Sequence, residues 1–219
     1  MHPFLRGVGG HTTRSYANYE SVVSEPVFYF TFLRDPIKRY LSHLNHQINK
    51  MGIDWSVRNF VEEPRFNNLM TRRIAGVDNV DLAKSILRDK FGMVGIFESY
   101  DESLLILSDL LFEAPTVLHY EHINDSQGES KFGLPDLSQE LRDVVFKNNE
   151  LDSELYVYAK DQLFARLKDT YSGDLQADLA VFKAKNTKYT YNAFKRYSLR
   201  IIRIYSENIP QRVAHWLKG

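Results

Sequence analysis

The stretch FTFLRDPIKRYLSHLNH, Phe30 to His46, gathers cationic and hydroxyl side chains at one place in the chain. Arg34 follows an apolar and aromatic run, and Arg39, Ser42, His43 and His46 recur behind it at helical spacing. At roughly 100° per residue these four positions fall within about 100° of one another, opposite Ile37, Leu41, Leu44 and Ile48. A polar face with an arginine at its entrance suits a phosphate or a sulfate. Guanidinium is a forked, permanently charged donor, and a hydroxyl further along the helix adds a neutral one. The plainer alternative is that Arg34 pairs with Asp35 or another acid and the helix shows a solvated face. Two histidine pairs, His43-x-x-His46 and His119-x-x-His122, raise the question of a metal. Neither matches a familiar zinc spacing, and i, i+3 along a strand points to opposite faces, so no metal is expected. No G-x-x-x-x-G-K-[ST] occurs, which leaves kinase or NTPase chemistry without support.

These residues need elements to position them. Val27 to Leu33 is a continuous apolar run broken by Thr31, which predicts a central strand buried on both faces. Asp35 can cap the helix that follows, and Pro36 suits its first position. Asn67 to Ala75 predicts a short helix ended by Gly76, and Asp81 to Lys90 another. Met93 to Phe97 reads as a second strand. Ser99-Tyr-Asp-Glu102 then reads as a capping box opening a helix whose core face carries Leu104, Leu107, Leu111 and Phe112. Thr116 to Tyr120 (TVLHY) reads as a third strand, followed by a long loop from His122 to Pro135 of the kind that is often functional. Ser138 to Tyr171 and Leu175 to Trp216 are helical in pattern, the latter broken near Asn186 to Thr190 and at Pro210. Strand, helix, strand, helix, strand predicts an α/β fold, a parallel sheet flanked by helices with a helical C-terminal extension. Ligands of such sheets bind beyond the carboxyl ends of the strands, where Arg34 is expected to lie.

The 219 residues, 43% of them hydrophobic, suffice for one sizeable core and a helical appendage. No apolar run approaches the roughly 18 residues of a membrane span, and MHPFLRGVGG has no apolar h-region of a secretory signal. Zero cysteines exclude disulfides, cysteine nucleophiles and thiolate metal sites. A cytoplasmic location is therefore the default, with the Golgi lumen as the eukaryotic alternative. Net charge is zero, yet nine Lys/Arg stand against one acid, Glu207, from Lys183 to Gly219. Phe194, Tyr197, Ile201, Ile204 and Tyr205 would share one face of a basic amphipathic helix there. It could lie on an anionic membrane, carry a polyanion or dock on the acidic remainder of the chain. Nothing suggests a nucleic-acid partner.

Phe30 to His43 resembles the 3′-phosphate-binding segment of carbohydrate sulfotransferases of the heparan sulfate 2-O-sulfotransferase type, F-x-F-L-R-D-P-x-x-R-x-x-S-x, at every fixed position. NNLMTRRIAG at Asn67 to Gly76 resembles that family's N-N-x-x-T-R-x-L-A-G segment. VGIFESYDESLLIL at Val94 to Leu107 resembles V-G-x-x-E-x-Y-D-E-S-L, and LDSELYVYAKDQLF at Leu151 to Phe164 is similar to its L-D-x-x-L-Y-x-x-A helix. The segments stand in family order over about two thirds of the chain. The resemblance implies transfer of a sulfuryl group from 3′-phosphoadenosine 5′-phosphosulfate (PAPS) to a hydroxyl of a glycan or polysaccharide, on a P-loop-NTPase-like fold without a metal. It puts Arg34 and Ser42 on the donor's 3′-phosphate, and Arg39 beside them with an orienting salt bridge as its first role. LRGVGGHTT at Leu5 to Thr13 resembles the family's R-G-H segment, so His11, 23 residues before Arg34, is the expected catalytic base. In the long loop Asn124, Ser126 and Lys131 are expected donor contacts.

The family's first strand and its P-K-x-G-G/A-T-S/T loop for the 5′-phosphosulfate are not found; GVGGHTTRSY at Gly7 to Tyr16 echoes it without the lysine. Two explanations compete. The chain is an N-terminally incomplete sulfotransferase, the preferred one because a sheet without its first strand exposes an edge, or it is an inactive relative acting as a nucleotide-binding or scaffold protein. The expected organisation is a sulfotransferase-like α/β domain over residues 1–171 and a basic helical extension over 172–219.

Overall fold

A computed structural model describes residues 14–17, 19–21, 26–112, 120 and 132–187. The chain divides into two compact units. Of the described residues, 14–112 and 132–179 belong to the first, and Tyr120 with 180–187 to the second. The first unit is a mixed α/β fold, a small parallel sheet flanked by helices.

Strand β1 (Tyr29–Leu33) leads into helix α1 (Pro36–Asn49). Asp35 caps it, its Oδ1 accepting the Lys38 N–H at 2.8 Å, and Pro36 fills a first-turn position where no intrahelical donor is needed. Helices α2 (Val57–Val61), α3 (Leu69–Ala75) and α4 (Val80–Lys90) follow. Gly76 ends α3 in the left-handed region at φ 80°, the conformation a residue without a Cβ adopts most cheaply. Strand β2 (Phe91–Ile96) then pairs in parallel with β1, Thr31 opposite Val94 and Leu33 opposite Ile96.

Helix α5 (Tyr100–Leu111) departs from its expected start and face. The Ser99 side chain makes no cap, because a 3-10 turn at Phe97–Ser99 carries the chain into the helix. Ser103 and Ile106 are the buried positions, while Leu111 and Phe112 are exposed. The Ser103 hydroxyl makes this possible, since its Oγ accepts the Ile96 N–H at 3.0 Å and donates to the Ile96 carbonyl at 3.1 Å. A buried hydroxyl with both roles satisfied carries no desolvation penalty of an unpaired group. Helices α6 (Gln139–Asn148) and α7 (Glu150–Tyr158) follow. A π-helical segment at Ala159–Phe164 joins α7 to α8 (Ala165–Asp169), and α9 (Leu175–Thr187) is the last described element.

One core lies on the sheet face carrying Leu33, Val94 and Ile96 and takes in Ile74, Leu87, Ile106, Leu155 and Phe164. A second gathers Tyr40 and Leu44 of α1 with Phe60, Phe66, Leu137 and Val145. The expectation that β1 is buried on both faces is not met among the described residues. Its other face carries Phe28 and Phe30, exposed by 40% and 48%, and only β2 pairs with it. In the second unit the Tyr120 N–H donates to Asn186 Oδ1 at 3.0 Å, beside the Phe182 ring. The third strand otherwise, the long loop up to residue 131 and the basic amphipathic helix from Phe194 lie outside the described residues, while the end of the loop is tied to α1 by the Phe132 N–H, which donates to Asn45 Oδ1 at 2.8 Å.

Candidate functional site

Arg34 stands at the carboxyl end of β1, one residue before the cap of α1. Its guanidinium lies over the Phe97 ring, 5.0 Å from the centroid, and its Nε is buried without a hydrogen-bond partner. Among the described residues no acid comes within ion-pair distance of it. Asp35, next to it in the chain, and Glu98, next to Phe97, are engaged elsewhere. Asp35 caps α1, and Glu98, at the end of β2, accepts the Asp35 N–H at 3.1 Å and the Tyr156 hydroxyl at 2.9 Å. Burial, and then the hydrogen bond to Glu98, raise the Tyr156 pKa, so the phenol keeps its proton and donates it. Ser42, two turns into α1, is half-buried, and its hydroxyl makes no hydrogen bond to a described residue.

Arg39 faces the protein. Its Nη2 donates to Asn149 Oδ1 at 3.1 Å and stands 3.6 Å from Asp152 Oδ2, and its side chain is 16% exposed. Asp152, fully buried, also accepts the Met70 N–H at 3.0 Å, the Thr71 N–H at 2.7 Å and the Thr71 hydroxyl at 2.8 Å. It supplies from α7 the cap that Asn68 does not give its own helix. Asn68, at φ 44° in the left-handed region, instead turns its Oδ1 to the Leu151 N–H at 3.1 Å, capping α7 in return. Helices α3 and α7 thus cap each other, and Arg39 ties α1 to that junction.

His43 is also turned inward, edge-on to Phe66 at 4.9 Å and to Phe60 at 5.8 Å between centroids. Its Nε2 lies 3.1 Å from Gln47 Nε2, and its Nδ1 has no partner. Burial first, then the charges of Arg39, Arg73, His46 and Arg65, push its pKa down to about 4, so the ring is neutral near pH 7. The predicted solvated face of α1 therefore exists at His46 but not at Arg39 or His43, which α7 and the Phe60–Phe66 stack cover. Among the described residues no group of three or more His, Cys, Asp or Glu is placed to hold a metal ion, and no helix is long and apolar enough to cross a membrane.

Arg73 of α3 adds a further cation. Burial and the charge of Arg14 lower its pKa, and its own charge acts on Arg39 and His43. Of these cations, Arg39 stands 3.6 Å from Asp152 Oδ2 and Arg65 the same distance from Glu63 Oε2.

Comparisons of the chain with protein-family models, curated proteins and solved structures found no match.

Of the expected site residues, Arg34 stands at the β1–α1 junction, whereas Arg39 and Ser42 lie one and two turns into α1, with Arg39 turned toward Asn149 and Asp152. His11, Asn124, Ser126 and Lys131 lie outside the described residues. Phe97, Glu98, Arg73, Asp152 and Tyr156 were not among the candidates. Glu98, Asp152 and Tyr156 stand at fixed positions of the segments used for the resemblance, a signal that was available. Those segments meet in space: Arg39 with Asp152, Thr71 with Asp152, Asp35 with Glu98, and Glu98 with Tyr156.

Proposed function

We propose that the chain is a PAPS-dependent sulfotransferase acting on a hydroxyl of a carbohydrate, with a P-loop-NTPase-like sulfotransferase architecture. The observation that carries this is Arg34, a cation at the carboxyl end of a parallel strand whose Nε is buried without a hydrogen-bond partner and which pairs with no acid among the described residues. That is the arrangement an anionic ligand completes, next to a helix N-terminus that favours the same charge. Further support comes from the mutual contacts of the four segments that resemble the sulfotransferase family.

Arg34 and Ser42 would hold the 3′-phosphate, the first through a charged fork and the second through a hydroxyl that no described residue engages. Arg39, committed to Asp152 and Asn149, orients α1 rather than donating to the ligand. PAPS supplies an activated sulfuryl group whose leaving group is a phosphate. His11 is proposed as the base that takes the acceptor hydroxyl's proton, and Asn124, Ser126 and Lys131 as further donor contacts. The 183–218 segment is proposed to meet the polyanionic acceptor or an anionic membrane surface.

Incubation with radiolabelled PAPS and a panel of desulfated polysaccharides tests this reading. Label transferred to a polysaccharide, and lost in His11→Ala, is the expected outcome. Tight binding of PAP, the desulfated donor product, without transfer to any acceptor would favour the nucleotide-binding, inactive alternative.

A further inference from the structure

An arginine in a protein usually finds an acid, and Arg34 has two beside it. Asp35 follows it in the chain, and Glu98 follows Phe97, on whose ring Arg34 rests. Neither pairs with it. Asp35 Oδ1 is bound to the Lys38 N–H, and each Glu98 oxygen has its own donor, Oε1 the Asp35 N–H and Oε2 the Tyr156 hydroxyl. Phe97 meanwhile fixes the guanidinium by a cation–π contact, which orients the cation without neutralising it as a carboxylate would.

We propose that Tyr156 and Glu98 are positioning residues for the Arg34 anion site: Tyr156 restrains Glu98 from pairing with Arg34, so that the guanidinium meets its ligand with its full charge. This deepens the reading of Arg34 as an anion-binding residue and rests on it. The Tyr156 phenol is suited to the task. It is a neutral donor on a helix anchored by Asp152 four residues earlier, on the same face of α7. Glu98 in turn fixes the backbone at Asp35, where α1 begins, so one carboxylate both shapes the turn and is kept off the cation.

Removing the Tyr156 hydroxyl releases one oxygen of the exposed Glu98 carboxylate, on the residue after the Phe97 ring that holds Arg34. An exposed Glu–Arg pair is worth up to about 1 kcal/mol, equivalent to about fivefold in an equilibrium constant. Any bound anion must displace that pair.

Calorimetric titration of inorganic pyrophosphate into the wild type, Tyr156→Phe, Glu98→Gln and the double variant tests this, with melting temperatures recorded for each. Tyr156→Phe is expected to weaken binding about fivefold. Adding Glu98→Gln should restore it to within about twofold of Glu98→Gln alone, because the neutral amide cannot pair with Arg34. A purely structural role for Tyr156 would leave the double variant at least as weak as Tyr156→Phe, which overturns the proposal. Unchanged binding in Tyr156→Phe, or no binding by the wild type, also overturns it. Titration of PAP in parallel separates the two readings. If PAP binds no more tightly than pyrophosphate while the rescue persists, the donor assignment fails and the positioning role stands.

Discussion

Replacement of Asp152 by alanine should destabilise the first unit more than any exposed substitution. The carboxylate is fully buried, accepts from three donors, the Met70 and Thr71 N–H groups and the Thr71 hydroxyl, and pairs at 3.6 Å with Arg39 Nη2. Two losses combine. The first turn of α3 is left with unpaired buried donors, each costing about 1–3 kcal/mol, and Arg39 becomes a largely buried cation without its acid, a change costing about 3–5 kcal/mol. These overlap because they share one carboxylate, so about 4 kcal/mol is the expected total, a large part of a typical folding free energy. Urea denaturation followed by circular dichroism measures it, given an unchanged m-value. The decisive arm is a double-mutant cycle with Arg39→Met. Once Arg39 is apolar the uncompensated cation is gone, so Asp152→Ala should then cost about 2 kcal/mol less than in the wild type. Additive effects, or a total below about 1 kcal/mol, would refute the view of Asp152 as the joint of α1, α3 and α7.

His43 should make stability fall in acid. Its pKa in the fold is about 4, below the roughly 6.5 of an unfolded histidine, so the unfolded chain takes up the proton first. The contribution is present above about pH 6.5 and is lost as pH falls toward 4. It amounts to about 1–2 kcal/mol once solvent screening of a partly exposed ring is allowed for. His43→Phe, which keeps the edge-on packing, should flatten the stability profile between about pH 6.5 and 4, and an unchanged profile would exclude His43 as the titrating group. Ser103→Ala should cost about 1–3 kcal/mol, since the Ile96 N–H loses its partner in the core. Thermal unfolding would show this as a drop of several degrees, whereas a neutral result would mean that water or a shifted backbone replaces the hydroxyl.

Local features were legible in the sequence. The Asp35 cap, the Pro36 start, the Gly76 stop and the run of β2 each depend on residues within a few positions of one another, where side-chain chemistry and backbone geometry are directly coupled. The face of α1 was only partly legible. Periodicity placed Leu41 and Leu44 in the core, but not Tyr40, nor the inward turn of Arg39 and His43, because those depend on α7 and on Phe60 and Phe66. Ser103 defeated pattern reasoning because its hydroxyl is satisfied by the strand before it, which lets a polar residue take the buried position. The reciprocal caps were out of reach for a different reason. Thr71 and Asp152 are 81 residues apart, and nothing in either segment alone announces a partner in the other. In the candidate site, Arg34 could be chosen from its place at a strand end. That Glu98 is engaged by Asp35 and Tyr156 was visible only in the structure's contacts.

The most direct test of Arg34 as the residue for the donor's 3′-phosphate is a cycle between protein and ligand. The affinities of PAP and of adenosine 5′-monophosphate, which lacks the 3′-phosphate, would be measured for the wild type and for Arg34→Met. A charge-assisted arginine–phosphate contact predicts that the wild type prefers PAP by about tenfold to a hundredfold, and that the preference vanishes in Arg34→Met. An equal preference for PAP in both proteins would contradict it.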